Sequence, residues 1–335
     1  MTPTEALESI AYLLEEELAP SYKVRAFRRA ASAVRELEPA RLEELHRAGR
    51  LKSLAGVGDA TATVIAEALS GVHPSYLTAL ERRRRPAPTG AAGTLLAALR
   101  GDCHLHSDWS DGSSPIAEMA IAAAALGHEY AVLTDHSPRL TIAHGLSAER
   151  LVRQRAVLAE LAPRLAPFRL LSGIEVDILE DGGLDQDEGL LGELDLVVAS
   201  VHSKLAMERR AMTERMIAAV RNPQVNILGH VTGRLVTGRA RPASDFDAQA
   251  VFAACARSQT AIEINCRPER QDPPDELLAL GATVGCLFSI DTDAHAPGQL
   301  GWQRLGCERA AAAGITAERV VNTWALADLV GWAGR

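Results

Sequence analysis

No apolar run in the chain approaches the roughly 20 residues that a membrane-spanning helix needs, so no transmembrane segment is expected. Cysteine is sparse. The five present, Cys103, Cys255, Cys266, Cys286 and Cys307, are odd in number and never spaced as CxxC, which excludes a disulfide framework and a thiolate zinc site. The opening residues, MTPTEALESI, carry acid where a secretory signal would carry base, so none is expected. The GxSxG elbow is also missing. Although Ser200, Ser203 and Ser289 lie near histidines, a serine-hydrolase mechanism therefore ranks low. The expectation is a protein of the reduced cytoplasm.

What is present divides into two parts. At 335 residues the chain exceeds the usual single domain, and one part has room for a barrel of roughly 230 to 250 residues. The formal net charge of −8 is uneven: residues 1–90 hold 13 Lys/Arg and 12 Asp/Glu, whereas the remainder holds 22 and 31. Such an acidic part would repel a polyanionic substrate unless bound cations offset it. The first part gathers its cations into Lys23, Arg25, Arg28 and Arg29 and the run Arg82 to Arg85.

Residues 1–85 space their apolar positions at three and four, as in ALESIAYLLEEEL and KVRAFRRAASAVREL, predicting a small all-α domain. The uncharged Pro/Gly/Ala stretch PAPTGAAG marks a linker, placed at 86–97. From 98 to 335 the pattern alternates short β-branched runs with helical segments, predicting an α/β fold with a largely parallel sheet or barrel. The seven strand candidates are GDCHLH, YAVLTDH, LLSGIEV, LDLVVASVH, VNILGH, AIEIN and LFSIDTDAH.

Each of these runs ends in His, Asp, Glu or Asn at its C-terminal edge, where barrel enzymes build their sites. In order these residues are His104 and His106, His136, Glu175, His202, His230, Glu263 with Asn265, and Asp293 with His295. Six of the ten histidines stand there. A single such histidine would be read as a hydrogen-bonded core residue; six with interleaved carboxylates point to metal. HxH in the first strand and DxH in the last put i and i+2 on one face. Imidazole and carboxylate without thiolate suit Zn, Mn or Fe, and the donors outnumber what one ion can use. A multinuclear hydrolytic site follows, with metal-activated hydroxide as the expected nucleophile on phosphorus.

The motifs DCHLHSDWSDG, LTDHS, GIEVDI, SVHS, GHVTGR, EIN and IDTDAH, in this order over roughly residues 98–335, resemble the polymerase and histidinol phosphatase (PHP) family. They look most like the C-terminal PHP domain of bacterial X-family DNA polymerases. The resemblance implies a distorted seven-stranded (β/α) barrel holding three divalent metals. His104, His106, Glu175 and Asp293 would hold the first. Glu175 would bridge to a second held by His202 and His230, and Asp111, His136 and His295 would hold the third. Some relatives have His at Asp111, and His144 stands where they usually have Gly. Arg234 and Arg270 match basic positions of the family and are expected phosphate clamps.

SYKVRAFRRAASAVREL and SLAGVGDATATVIAEAL similarly resemble the N-terminal helix-hairpin-helix domain of X-family polymerases. Gly56 and Gly58 would allow a tight turn whose amides, at the start of the next helix, cradle a DNA phosphate, with Lys23, Arg25, Arg28 and Arg29 alongside. Val64 falls near the family's lyase lysine and forms no Schiff base, so lyase activity is not expected. The short linker leaves no room for palm and fingers, so neither is polymerase activity. The reading is a metal-dependent phosphoesterase acting on DNA as a 3′-5′ exonuclease, a 3′ end-processing phosphatase or an abasic-site nuclease. The alternatives are a small-molecule phosphatase similar to histidinol phosphatase, and a DNA-binding scaffold with a structural metal cluster.

Overall fold

The computed structural model describes residues 1–238 and 240–334, and the chain divides into two compact units, Met1–Pro86 and Ala87–Arg335. The first is helical: α1 (Pro3–Glu16), α2 (Ser21–Arg35), α3 (Pro39–Arg47), α4 (Asp59–Leu69) and α5 (Ser75–Arg83). The three-and-four spacing resolves into one core, where Leu7, Ile10 and Leu14 of α1 join Phe27, Ala31 and Val34 of α2 and Val64 and Ile65 of α4. Helix α1 begins in a capping box: Thr2 Oγ1 accepts from the Glu5 N–H, and the Glu5 carboxylate accepts from the Thr2 N–H at 2.7 Å. Around its other end, three successive glutamates each meet an arginine. Arg28 donates from Nε and Nη2 to the buried Glu15 at 2.9 to 3.0 Å, while Arg84 and Arg83 lie 3.1 Å from Glu16 and Glu17.

The second unit is an α/β barrel. Helix α6 (Gly90–Ala98) precedes β1 (Gly101–Leu105), and then come α7 (Ile116–Ala125), β2 (Tyr130–Leu133), α8 (Ala148–Leu165), β3 (Arg169–Asp177) and α9 (Glu188–Leu191). The chain continues through β4 (Leu196–Ser200), α10 (Arg209–Val220), β5 (Ile227–Leu228), α11 (Ala248–Ser258), β6 (Ala261–Asn265), α12 (Asp275–Val284), β7 (Phe288–Asp291), α13 (Gln303–Ala312) and α14 (Leu326–Ala333). All seven expected strands form, neighbours in sequence are neighbours in the sheet, and every pair is parallel. Alternation sorts their side chains: Leu196 and Val198 of β4 enter the barrel's interior cluster, whereas Val197 and Ala199 pack into the outer core with Met216 of α10 and Phe252 of α11. The interior cluster also takes in Val321, Leu329 and Trp332 from the C-terminal segment.

Between β1 and β7 the barrel closes without a regular ladder. One bridge pairs Leu105 with Ala294, and the His106 N–H donates to the Ala294 carbonyl at 2.8 Å. Side chains complete the seam: Asp291 accepts from the Cys103 N–H at 2.9 Å, and Asp102 accepts from the Thr292 N–H at 3.3 Å. Burial pushes the Asp102 carboxyl up to about 7 and, with the nearby Asp102 and Glu263 charges, holds Asp291 well above the carboxylate range.

The linker reading of 86–97 is corrected by α6, which occupies most of it and buries Leu95 in the outer core. A low-charge, Ala-rich stretch reads as linker by composition, yet Ala is the best helix former and two leucines give it a face to bury. No helix among the described residues is long and apolar enough to cross a membrane.

Candidate metal centre

The strand ends of the barrel bring all nine metal-ligand candidates into one cluster around Glu175, which is buried on β3. Its Oε2 lies 3.4 Å from His104 Nε2, 3.6 Å from His106 Nε2 and 2.8 Å from His136 Nδ1. Its Oε1 lies 3.2 Å from His202 Nε2 and 2.7 Å from His230 Nε2. One carboxylate thus faces five imidazoles. Asp293 Oδ1 stands 3.4 Å from His106 Nε2, and at the outer edge Asp111 Oδ1 is 3.5 Å from His136 Nε2 and 3.2 Å from His295 Nε2. Asp111 reaches in from a turn that needs Gly112: a Cβ there would meet the Ser107 backbone at 2.6 Å.

Donor atoms within reach of a single ion form three sets: His104, His106 and Glu175; His136, Glu175 and His202; and His106, Asp111, His136 and His295. The groupings differ from those the resemblance implies. His136 belongs to two sets because its ring lies between Glu175 and Asp111 with one nitrogen toward each, and His106 likewise joins the outer set.

These residues fit a cation. The Nε2 atoms of His104 and His106 face each other at 3.2 Å, about the spacing of two nitrogens that share an ion at about 2.1 Å each. His136 Nδ1 and His202 Nε2 are buried beside Glu175 without the geometry of a hydrogen bond. The titration pattern agrees. Burial opposes charge on His104 and His136, but Glu263 and Glu175 around the first, and Glu175 and Asp111 around the second, overcome it, holding His104 well above the imidazole range and His136 at about 10. Burial, reinforced by the charges of His295 and His136, drives His106 down to about 3. Cations bound here would displace protons from the raised rings, since imidazole ligates in its neutral form.

A supporting layer orients these donors, and sequence reasoning missed most of it. His104 Nδ1 donates to the buried Glu263 at 2.6 Å, and His202 Nδ1 donates to Asp177 at 2.9 Å. Each leaves the ring's Nε2 toward Glu175. Asp177 had a signal, since it lies at i+2 from Glu175 on the same face of β3. Asp135 accepts from the Ser107 N–H at 2.8 Å and from the Gln154 amide at 2.6 Å, tying the β1 loop to α8. Arg215, 1% exposed, donates to the carbonyls of Leu179 at 2.8 Å, Ser203 at 2.9 Å and Ile178. Ile178 follows Asp177 and Ser203 follows His202, so one guanidinium clamps both loops.

A cavity of about 440 Å³ opens beside the cluster, lined by Asp111, His136, His202, Asp293 and His295 and by Arg267 and Arg270. Arg270 Nε donates to Asp293 at 3.2 Å, and its Nη1 is enclosed without a hydrogen-bond partner among the described residues. Arg234, expected as a second clamp, does not line the cavity: it donates to the carbonyls of Arg270 at 3.1 Å and of Gln271. Arg267, from the same loop as Arg270, takes that place, with Nη1 2.8 Å from His295 Nδ1.

In the helical unit Lys23, Arg25 and Arg29 are exposed, and Arg29 lies beside the turn at Gly56, whose φ of +86° suits glycine. Arg28 is committed to Glu15, and the Gly58 N–H donates to Thr61 Oγ1 at 2.9 Å. Both are thereby withdrawn from the set expected to face DNA.

Residues 2–73 match the helix-hairpin-helix domain model and residues 102–267 the PHP domain model. The barrel belongs to the PHP family. The chain is 38% identical over 234 residues, 70% of its length, to the DNA polymerase/3′-5′ exonuclease PolX of Bacillus subtilis (strain 168), and spans 41% of that protein. A probable phosphatase of Thermoanaerobacter sp. (strain X514) is 28% identical over 233 residues, 66% of this chain and 89% of its own. Histidinol phosphate phosphatase from Lactococcus lactis, solved with zinc, L-histidinol and phosphate, superposes with a TM-score of 0.45 at 21% identity, covering 64% of this chain and 94% of its own.

Proposed function

We propose that the chain is a metal-dependent hydrolase of phosphate esters that acts on DNA ends or abasic sites, as a 3′-5′ exonuclease, a 3′ end-processing phosphatase or an abasic-site nuclease. The observation that carries the hydrolytic reading is Arg270: an enclosed guanidinium whose Nη1 has no partner among the described residues, in a cavity walled by histidines and carboxylates, suits the oxygens of a phosphate. The three donor sets would hold up to three divalent ions, Zn, Mn or Fe, with Glu175 common to two of them. When bound, such ions lower the pKa of water and neutralise charge on a phosphate. Glu263 and Asp177 hold the His104 and His202 rings in one tautomer, Arg270 orients the phosphate, and Arg267 braces Asp293 and His295.

DNA is favoured as substrate by the helix-hairpin-helix match and by the exposed Lys23, Arg25 and Arg29, the last of them beside the Gly56 turn. The second reading, a small-molecule phosphatase, is favoured by the probable phosphatase that this chain matches over 89% of its length. Digestion of labelled single-stranded, nicked and recessed DNA with Mn or Zn, beside histidinol phosphate, separates them. Turnover of histidinol phosphate with no attack on any DNA would refute the DNA reading.

A further inference from the structure

The cavity beside the cluster contains a charge that phosphate chemistry does not use. Arg267 and Arg270 give it cationic groups, Leu140 and Leu235 give it apolar ones, and Glu269 adds a carboxylate. Glu269 lies on the loop after β6, where its carbonyl accepts from the Val236 N–H at 2.7 Å, so two loops of the rim fix its backbone. Its Oε2 is enclosed, with no hydrogen-bond partner among the described residues. The Arg267 guanidinium stands 3.9 Å from Oε1, beyond hydrogen-bond range. Arg267 is directed elsewhere, since its Nη1 donates to the Asp293 carbonyl at 2.9 Å.

A carboxylate in this place repels the anionic part of a phosphate ester, and an enclosed acceptor without a donor is costly. Both penalties lapse if the substrate brings a donor of its own. We infer that Glu269 accepts a hydrogen bond from a hydroxyl or ammonium group carried by the substrate near the reacting phosphate, which makes the site selective for esters with such a donor. On the DNA reading, on which this rests, the donor is the free 3′-hydroxyl of the terminal nucleotide, with Leu140 and Leu235 against its apolar faces. The carboxylate then distinguishes a free 3′ end from a blocked one by a single hydrogen bond, a contact that a purely apolar pocket lacks.

The test compares the full chain, loaded with Mn, on oligonucleotides that differ only in ending in a 3′-hydroxyl or a 3′-hydrogen. The ratio of their kcat/KM values cancels any general loss of activity. Wild type should prefer the hydroxyl end by about tenfold. Glu269→Leu should bring the ratio to about one, and Glu269→Gln should keep most of the preference because its amide oxygen still accepts. A parallel arm sets O-phosphoethanolamine against ethyl phosphate. A Glu269-dependent preference there alone would support recognition of a donor while assigning it to small amino alcohols. Equal rates within both pairs, or preferences that survive Glu269→Leu, would overturn the inference and leave the phosphoesterase reading intact. Failure to hydrolyse any of these substrates or p-nitrophenyl phosphate would remove that reading, and this one with it.

Discussion

Asp177 accepts from His202 twice, through the ring Nδ1 at 2.9 Å and the backbone N–H at 3.2 Å. The pair fixes the ring's tautomer and angle, so that Nε2 meets Glu175. Asp177→Asn should therefore lower turnover by roughly 10- to 100-fold and reduce the protein's metal content, while the melting temperature of the metal-free protein changes little. Elemental analysis, a turnover assay and a thermal melt on the same preparation check this. Full metal content with wild-type turnover would show that Asp177 does not position the ring.

Arg215 presents the opposite balance. A buried guanidinium bonded to carbonyls, with no ion-pair partner among the described residues, is costly to place, and burial lowers its pKa. Arg215→Met should leave the carbonyls of Ile178, Leu179 and Ser203 without their donor and cost about 3 kcal/mol in urea unfolding. Because the clamp spans the loops carrying Asp177 and His202, metal affinity should fall as well, and Arg215→Lys should recover only part of each loss. Unchanged metal affinity in a destabilised Arg215→Met would confine the residue to a structural role.

The helical unit offers a separation between neighbours. Arg28→Ala removes a bidentate donor from the Glu15 carboxylate, whose side chain is 4% exposed, and should destabilise the unit by about 1 to 3 kcal/mol without changing the salt dependence of DNA binding. Lys23→Ala, Arg25→Ala and Arg29→Ala should each leave stability within about 0.5 kcal/mol and reduce the slope of log K against log salt by about 1. Binding isotherms at several salt concentrations decide between them. An unaltered slope in all three exposed variants would mean that DNA meets another surface.

Much of the barrel was legible because period-2 alternation and strand-end polarity are local signals. GDCHLH and LFSIDTDAH announce both a strand and the residues at its end, and the fold then brings those ends together. The supporting layer was not legible, because it is made through space: His104 and Glu263 are 159 residues apart, and Asp102 and Thr292 are 190 apart. No spacing rule links them. Arginine misled for a related reason. Arg28, Arg83 and Arg84 read as clustered free cations and Arg234 as a phosphate clamp, yet each is bound to a glutamate or to carbonyls, and composition does not record what a guanidinium faces.

A backbone ladder keeps adjacent strands about 4.8 Å apart. Along part of the β1–β7 seam the rungs are the carboxylates of Asp102 and Asp291, so strand spacing there is set by the reach of aspartate instead of by the peptide. Two and four residues further along the chain stand His104 and His106 on one side and Asp293 and His295 on the other. Part of the breadth of the site's floor is therefore a side-chain dimension, open to change by a single methylene, while the His106 to Ala294 hydrogen bond fixes the rest in the main chain.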